Sequence, residues 1–211
     1  MTENKLPYLP VALPDLSELE RDYVLQALDS TWISSTGEFV DRFEEGFARA
    51  CGTRHALSCS NGTVALHLAL LTLGAEAGDE VIIPSLTFIS TANSVRYVGA
   101  TPVFADVDAA TWCLDPAKIE AGITEKTRGI IVVHLYGHPA DMDPIKAIAE
   151  RHGLWIIEDA AEAHFARYKG NTVGGIGDIG TFSFYGNKTM TSGEGGAITF
   201  NRDELLQSAR M

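Results

Sequence analysis

The sequence predicts an α/β fold in three αβα layers, built around a mostly parallel seven-stranded sheet. Two observations carry that expectation. Short β-branched runs alternate with longer segments of helical period along most of the chain. Runs such as Ile130-Ile131-Val132-Val133 are apolar at every position, as strands covered on both faces are. The 211 residues suffice for one well-cored domain or slightly more.

Taken in order, Leu16–Leu28 places Leu16, Leu19, Tyr23, Val24, Ala27 and Leu28 at amphipathic spacing, with Pro14-Asp15 as a start signal. Glu38–Ala50 repeats the pattern through Phe39, Val40, Phe43 and Phe47. These helices read as an N-terminal arm over residues 1–50, and residues 51–211 read as the α/β domain. Within it, strands are expected at His55–Cys59, Glu80–Pro84, Pro102–Asp106, Gly129–His134, Leu154–Asp159, Gly180–Phe184 and Gly196–Phe200. Helices are expected at Gly62–Leu73, Phe88–Val98, Asp115–Ile123 and Pro144–His152, with a polar helix from Asp203 onward.

Composition excludes several classes. The net charge of −12 disfavours nucleic acid and anionic membrane surfaces, yet backbone N–H groups can still hold one phosphorylated small ligand locally. Apolar runs such as Gly129–Val133 are too short to cross a bilayer. Met1–Pro10 lacks the basic start and apolar core of a secretory signal. Cys51, Cys59 and Cys113 form no close pair or metal spacing, which suits a reducing cytoplasm. His134 and His138 are four apart, but Gly137 and Pro139 predict a turn there and no Glu follows His134, so no metal site is expected.

Four segments follow strands directly and so can converge beyond the strand carboxyl ends, where open α/β sheets bind ligands. Ser58–Thr63 runs into a helix through small residues, which reads either as a phosphate cradle or as a plain N-cap at Ser60 or Asn61. Glu158-Asp159, with Glu162 after it, puts carboxylates at a buried strand end, where each needs a cationic or hydrogen-bonding partner unless solvent reaches it. Ser183–Lys188, followed by Gly193–Gly196, sets a lysine just past an apolar strand. There it is either a desolvated, imine-forming amine or a surface group in a glycine-rich loop. Phe88, after Pro84-Ser85-Leu86-Thr87, is either a stacking platform for a flat ligand or a core residue. No G-x-G-x-x-G opens a helix, which counts against a dinucleotide site.

As an ordered set, these segments resemble the DegT/DnrJ/EryC1/StrS sugar aminotransferases, fold-type-I enzymes that use pyridoxal 5'-phosphate (PLP). The resemblance runs from Trp32-Ile33-Ser34-Ser35 to Gly193-Glu194-Gly195-Gly196-Ala197. Trp32–Gly37 and Ser183–Thr189 look most like the branch that makes GDP-perosamine, using glutamate to aminate C4 of GDP-4-keto-6-deoxymannose. It implies that 51–211 is the PLP-binding large domain and that Lys188 is the catalytic lysine, which bonds the cofactor and moves protons. It further implies that Asp159 pairs with the pyridinium nitrogen and Glu162 contacts the phenolic oxygen. Gly62, Thr63 and Ser183 then match the phosphate cradle and Phe88 the stacking residue.

The implied partners are a nucleotide-sugar substrate, an amino-acid donor and a second copy of the chain, in the cytoplasm. Lys188 favours transamination over the dehydration of family members that lack the lysine. Phe165 departs from the small residue, commonly Gly, that family members carry after Ala163-His164, so it is expected to narrow the site or alter how the strand end packs. Complete members are nearly twice as long and add a C-terminal domain. The resemblance thus implies that residues 1–211 by themselves turn over weakly or not at all, the competing reading being a non-catalytic remnant.

Overall fold

A computed structural model describes residues 13–210; residues 1–12, which include the whole Met1–Pro10 stretch, and Met211 lie outside the described residues. Helix α1 (Glu18–Ser30) starts slightly later than Pro14-Asp15 suggested, because Ser17 and Glu20 close a capping box there. None of its residues is buried. Helix α2 (Glu38–Cys51) ends on Gly52, whose left-handed φ of 72° suits a residue without Cβ. It buries Phe47, Ala48 and Cys51 in a cluster with Phe182 and Phe184.

From there strands and helices alternate: β1 (His55–Cys59), α3 (Gly62–Thr72), β2 (Glu80–Pro84), α4 (Ser90–Tyr97), β3 (Thr101–Ala105), α5 (Pro116–Ile119), β4 (Thr127–Val133), α6 (Met142–His152) and β5 (Trp155–Asp159). The chain continues through β6 (Arg167–Tyr168), β7 (Asn171–Thr172), β8 (Ile179–Ser183), β9 (Gly196–Phe200) and α7 (Asp203–Ala209). The helix expected over Asp115–Ile123 is shorter than the sequence suggested. Capped by Asp115, it gives way at Glu120 to a 3-10 turn that ends at Gly122. The two-residue strands β6 and β7 form a hairpin too short to leave a periodic signature.

Seven strands form one sheet in the order β1-β9-β8-β5-β4-β2-β3. Only β9 runs antiparallel to its neighbours β8 and β1. With helices on both faces, this is the αβα sheet of fold-type-I transferases, as the sequence predicts. The period of two along each strand divides the core. Val81, Ile83, Ile131 and Ile157 pack with Leu66, Leu70 and Val95 of α3 and α4. Ile82, Ile130, Val132 and Ile156 pack on the other face with Met142, Ile145 and Ile148 of α6. Adjacent residues at the end of β5 therefore leave the sheet in opposite directions.

Close backbone approach explains Gly180 of β8. A Cβ there would lie 2.3 Å from the Gly174 carbonyl oxygen and 2.5 Å from Thr199 Oγ1, which itself donates to that carbonyl. Gly46 of α2 is the opposite case, since a Cβ there meets only the far end of Arg49 at 3.9 Å. Gly180→Ala is expected to lower stability by about 3 kcal/mol or more. Gly46→Ala should raise it by about 0.5–1 kcal/mol. Urea melts of the two variants check both signs.

Candidate active site

Two neighbouring carboxylates end β5, and both are buried. Glu158 turns toward the α6 face and accepts four hydrogen bonds. They come from His134 Nε2 at 3.0 Å and from the backbone N–H groups of Gly174 (2.9 Å), Ile176 (2.7 Å) and Gly177 (2.7 Å). Burial opposes its ionisation, but these donors outweigh it and hold the carboxyl below its ordinary range. Asp159 turns toward α4 and has two donors, Ala161 N–H at 3.2 Å and Thr91 Oγ1 at 3.2 Å. It has no ion-pair partner within 4.0 Å among the described residues. Burial therefore dominates and raises its pKa, offset in part by those two bonds and by the Lys188 charge.

Thr91, fully buried on α4, is itself 2.9 Å from Thr87 Oγ1. With its proton directed at Asp159, Thr91 accepts from Thr87, so two hydroxyls in series serve one carboxylate. Sequence reasoning missed this role, although Thr87 lies within the Phe88 segment it singled out and Thr91 follows shortly after.

Lys188 lies past β8 in a loop, not on a helix, and its side chain is only 16% exposed. Nζ donates to Glu162 Oε1 at 3.2 Å, while Glu162 Oε2 accepts from the Tyr136 backbone N–H at 3.0 Å. Tyr136 presents that N–H from a left-handed conformation (φ 51°), unusual for a residue with a side chain. The loop base is fixed by Phe184 N–H to Gly195 O at 2.8 Å and by Ser192 N–H to Phe184 O at 3.0 Å.

The third group surrounds the start of α3. Asn61 caps this helix by accepting from Val64 N–H at 3.0 Å, as one of the two sequence readings held. The cap leaves the N–H groups of Gly62 and Thr63 without acceptors among the described residues. A Cβ on Gly62 would lie 2.7 Å from Ser183 Cβ, so only glycine lets β8 come this close to the helix start. Thr63 Oγ1 is 2.7 Å from Ser90 Oγ. A cleft of about 550 Å³ opens here, lined by Gly62, Thr63, Phe88, Asp159, Glu162, Ser183 and Lys188 together with other residues. Phe88 is 71% exposed at this cleft and not in the core.

Phe165 does not narrow the cleft as one expectation had it. It is not among the cleft-lining residues; its ring lies 5.8 Å from that of Phe47 on α2. Its φ of 59° explains why a small residue suits the position, because a left-handed backbone disfavours any Cβ. His134 is buried with both ring nitrogens engaged. Burial pushes the thiols of Cys51 and Cys59 up to about 12 and about 11.

A mostly parallel sheet with a buried carboxylate and a lysine meeting at one cleft defines the large domain of a fold-type-I transferase. Residues 14–211 match the DegT/DnrJ/EryC1/StrS aminotransferase family, and the chain belongs to it. It is 57% identical over 206 residues to the GDP-perosamine synthase of Caulobacter vibrioides, covering 98% of this chain and 56% of that protein. To the GDP-perosamine synthase of Escherichia coli O157:H7 it is 53% identical, covering 95% of this chain and 55% of that one. The solved aminotransferase from Psychrobacter cryohalolentis superposes with a TM-score of 0.91 at 45% identity, over 97% of this chain and 52% of that one. A sugar aminotransferase from Streptococcus pneumoniae in its PLP form gives a TM-score of 0.90 at 32% identity, over 96% and 57%. The chain thus spans about half the length of the curated relatives it matches.

Buried Asp159 and partly buried His164 give opposite pH signatures. Folded Asp159 binds its proton more tightly than the unfolded chain does, so its ionisation costs stability as pH rises above the ordinary value of 3.8. Asp159→Asn is expected to be more stable than wild type at neutral pH, with the gain vanishing as pH falls through about 4. Neither ring nitrogen of His164 has a hydrogen-bond partner among the described residues, and burial lowers its pKa from 6.5 to about 4. Between those values the unfolded chain binds the extra proton, so stability falls as pH drops from 6.5 toward 4. His164→Leu should flatten that slope. Denaturant melts across pH measure both effects.

Proposed function

We propose that this chain is the cofactor-binding part of a PLP-dependent aminotransferase, one that passes an amino group from glutamate to a nucleotide-linked keto-sugar. Residues 51–211 are its PLP-binding domain and residues 1–50 an arm whose second helix packs onto that domain. The observation that carries the reading is Asp159, a buried carboxylate with no cation within 4.0 Å among the described residues, in the same cleft as a largely desolvated lysine. Such a carboxylate fits a protonated ring nitrogen, and a start of α3 kept open by Gly62 fits a phosphate.

PLP, when bound, supplies a carbonyl for amine exchange and an electron sink that eases C–H cleavage. Asp159 would keep a proton on the ring nitrogen by electrostatic attraction. The backbone N–H groups of Gly62 and Thr63 and the hydroxyls of Thr63 and Ser183 would hold the phosphate, and Phe88 would cover the ring. Glu162 would contact the phenolic oxygen. Lys188 Nζ would attach the cofactor and, once free, remove and return the proton at the reacting carbon. Over the full exchange the amino group of glutamate would pass to the keto carbon of the sugar, releasing 2-oxoglutarate and an amino-sugar.

The likeness to GDP-perosamine synthases supports GDP-4-keto-6-deoxymannose as the sugar. A homodimer in the cytoplasm is part of the same reading. Its cysteines, all free, are compatible with a reducing compartment. Borohydride reduction of the chain mixed with PLP, followed by peptide mass spectrometry, is expected to place the label on Lys188 alone. Label absent or scattered over surface lysines sinks the reading. Lys188→Ala should lose the label with its melt unchanged within about 1 kcal/mol, since the residue lies in a loop whose neighbouring residues are exposed.

A further inference from the structure

Glu158 is fully buried and lies outside the residues that line the cleft. Four donors converge on it, and one of them is the ring of His134. That ring is committed on its other side as well, because Nδ1 accepts from the Ala140 backbone N–H at 3.1 Å. An Nδ1 that accepts places the ring proton on Nε2, which then donates to Glu158. His134 thus spans the gap between the end of β5 and the far end of its own loop.

The near end of the loop is fixed too, by the His134 backbone N–H on Asp159 O at 3.0 Å. Between these anchors the chain makes one tight turn, closed by His138 N–H on Leu135 O at 3.0 Å. Tyr136 and Gly137 adopt φ values of 51° and 86° within it. At its crest Tyr136 N–H meets Glu162, whose second oxygen holds Lys188. We propose that His134 and Glu158 are a buried positioning pair, which sets this turn so that the Tyr136 N–H holds Glu162 against Lys188. The inference rests on the reading of Lys188 and Glu162 as site residues. Glu158 lies outside the cleft lining, and His134, although it borders the cleft, has both ring nitrogens committed to Glu158 and Ala140.

The test is trace acylation of the 211-residue chain at fixed pH without cofactor, with Lys188 measured by mass spectrometry against exposed Lys126. Glu162→Ala strips the ammonium of its partner and is expected to speed Lys188 acylation about tenfold, the scale of one hydrogen bond to a charged group. His134→Asn keeps an acceptor for Ala140 N–H but loses the bond to Glu158, and should speed it about threefold or more in the same direction. The double variant should match Glu162→Ala alone, because His134 acts through Glu162. Rates that multiply, or a folded His134→Asn with wild-type reactivity, overturn the proposal. His134→Gln is the second variant, keeping a donor toward Glu158 while losing the acceptor for Ala140. If neither variant unfolds cooperatively, the pair serves the core alone and the proposal falls. Failure of PLP to label wild-type Lys188 sinks the cofactor reading instead and leaves this cycle readable.

Discussion

Two adjacent carboxylates lie out of water at the end of β5, and their opposite treatment organises the rest of the site. An uncompensated buried charge costs several kcal/mol, whereas a hydrogen bond to a charged group contributes about 1.5–3 kcal/mol. The four donors around Glu158 are enough to keep it ionised, and its carboxyl lies below the ordinary range. The two donors around Asp159 offset its burial only in part, and its carboxyl lies above that range. The pleat of the strand makes this possible by turning Ile157 and Asp159 to one face and Ile156 and Glu158 to the other. Side by side on one face, the two charges would repel, and neither could be tuned without the other.

Each treatment then constrains the surrounding chain. Three of the donors to Glu158 are backbone groups of the Gly174–Gly177 turn, which must lie directly against β8. The absence of a side chain at Gly180 permits that approach, so a glycine with no chemistry of its own supports the charge state of a carboxylate. On the Asp159 side, the incomplete shell keeps local negative charge available to a cationic ligand. A chain with net charge −12 has no global field to draw in a phosphate. The open N–H groups at the start of α3 act over a few ångströms instead.

Much of this was legible in the sequence, for reasons that also mark the boundary of what was not. The strands could be read because burial on both faces demands apolar residues at every position, as in Ile130–Val133. The positions now lining one cleft could be read because each follows a strand and carries a distinctive residue type, as Gly62, Asp159 and Lys188 do. The contrast between Glu158 and Asp159 could not, because it depends on what packs over each face. Nor could the Tyr136 N–H, since every non-proline residue has that donor and only the fold aims it. Phe165 shows the limit from another side: its aromatic character drew attention to the cleft, but its left-handed backbone decides where the ring goes.

The lysine illustrates how rigidity and freedom are divided. In the proposed role, a base that serves two different substrates in turn needs a mobile tip on a fixed stem. The stem is the loop base, where Phe184 and Ser192 are bonded across to Gly195 and Phe184. Thr191 Oγ1 adds a further bond to Phe184 O at 3.1 Å. The tip is held by a single hydrogen bond to Glu162, at a depth where salt screens it only partly. Because Glu162 is itself held by a backbone N–H, the lysine can leave and return without its partner drifting into solvent. The geometry of the resting site is thus stored in the backbone of a strained turn, and the side chain that must move carries none of it.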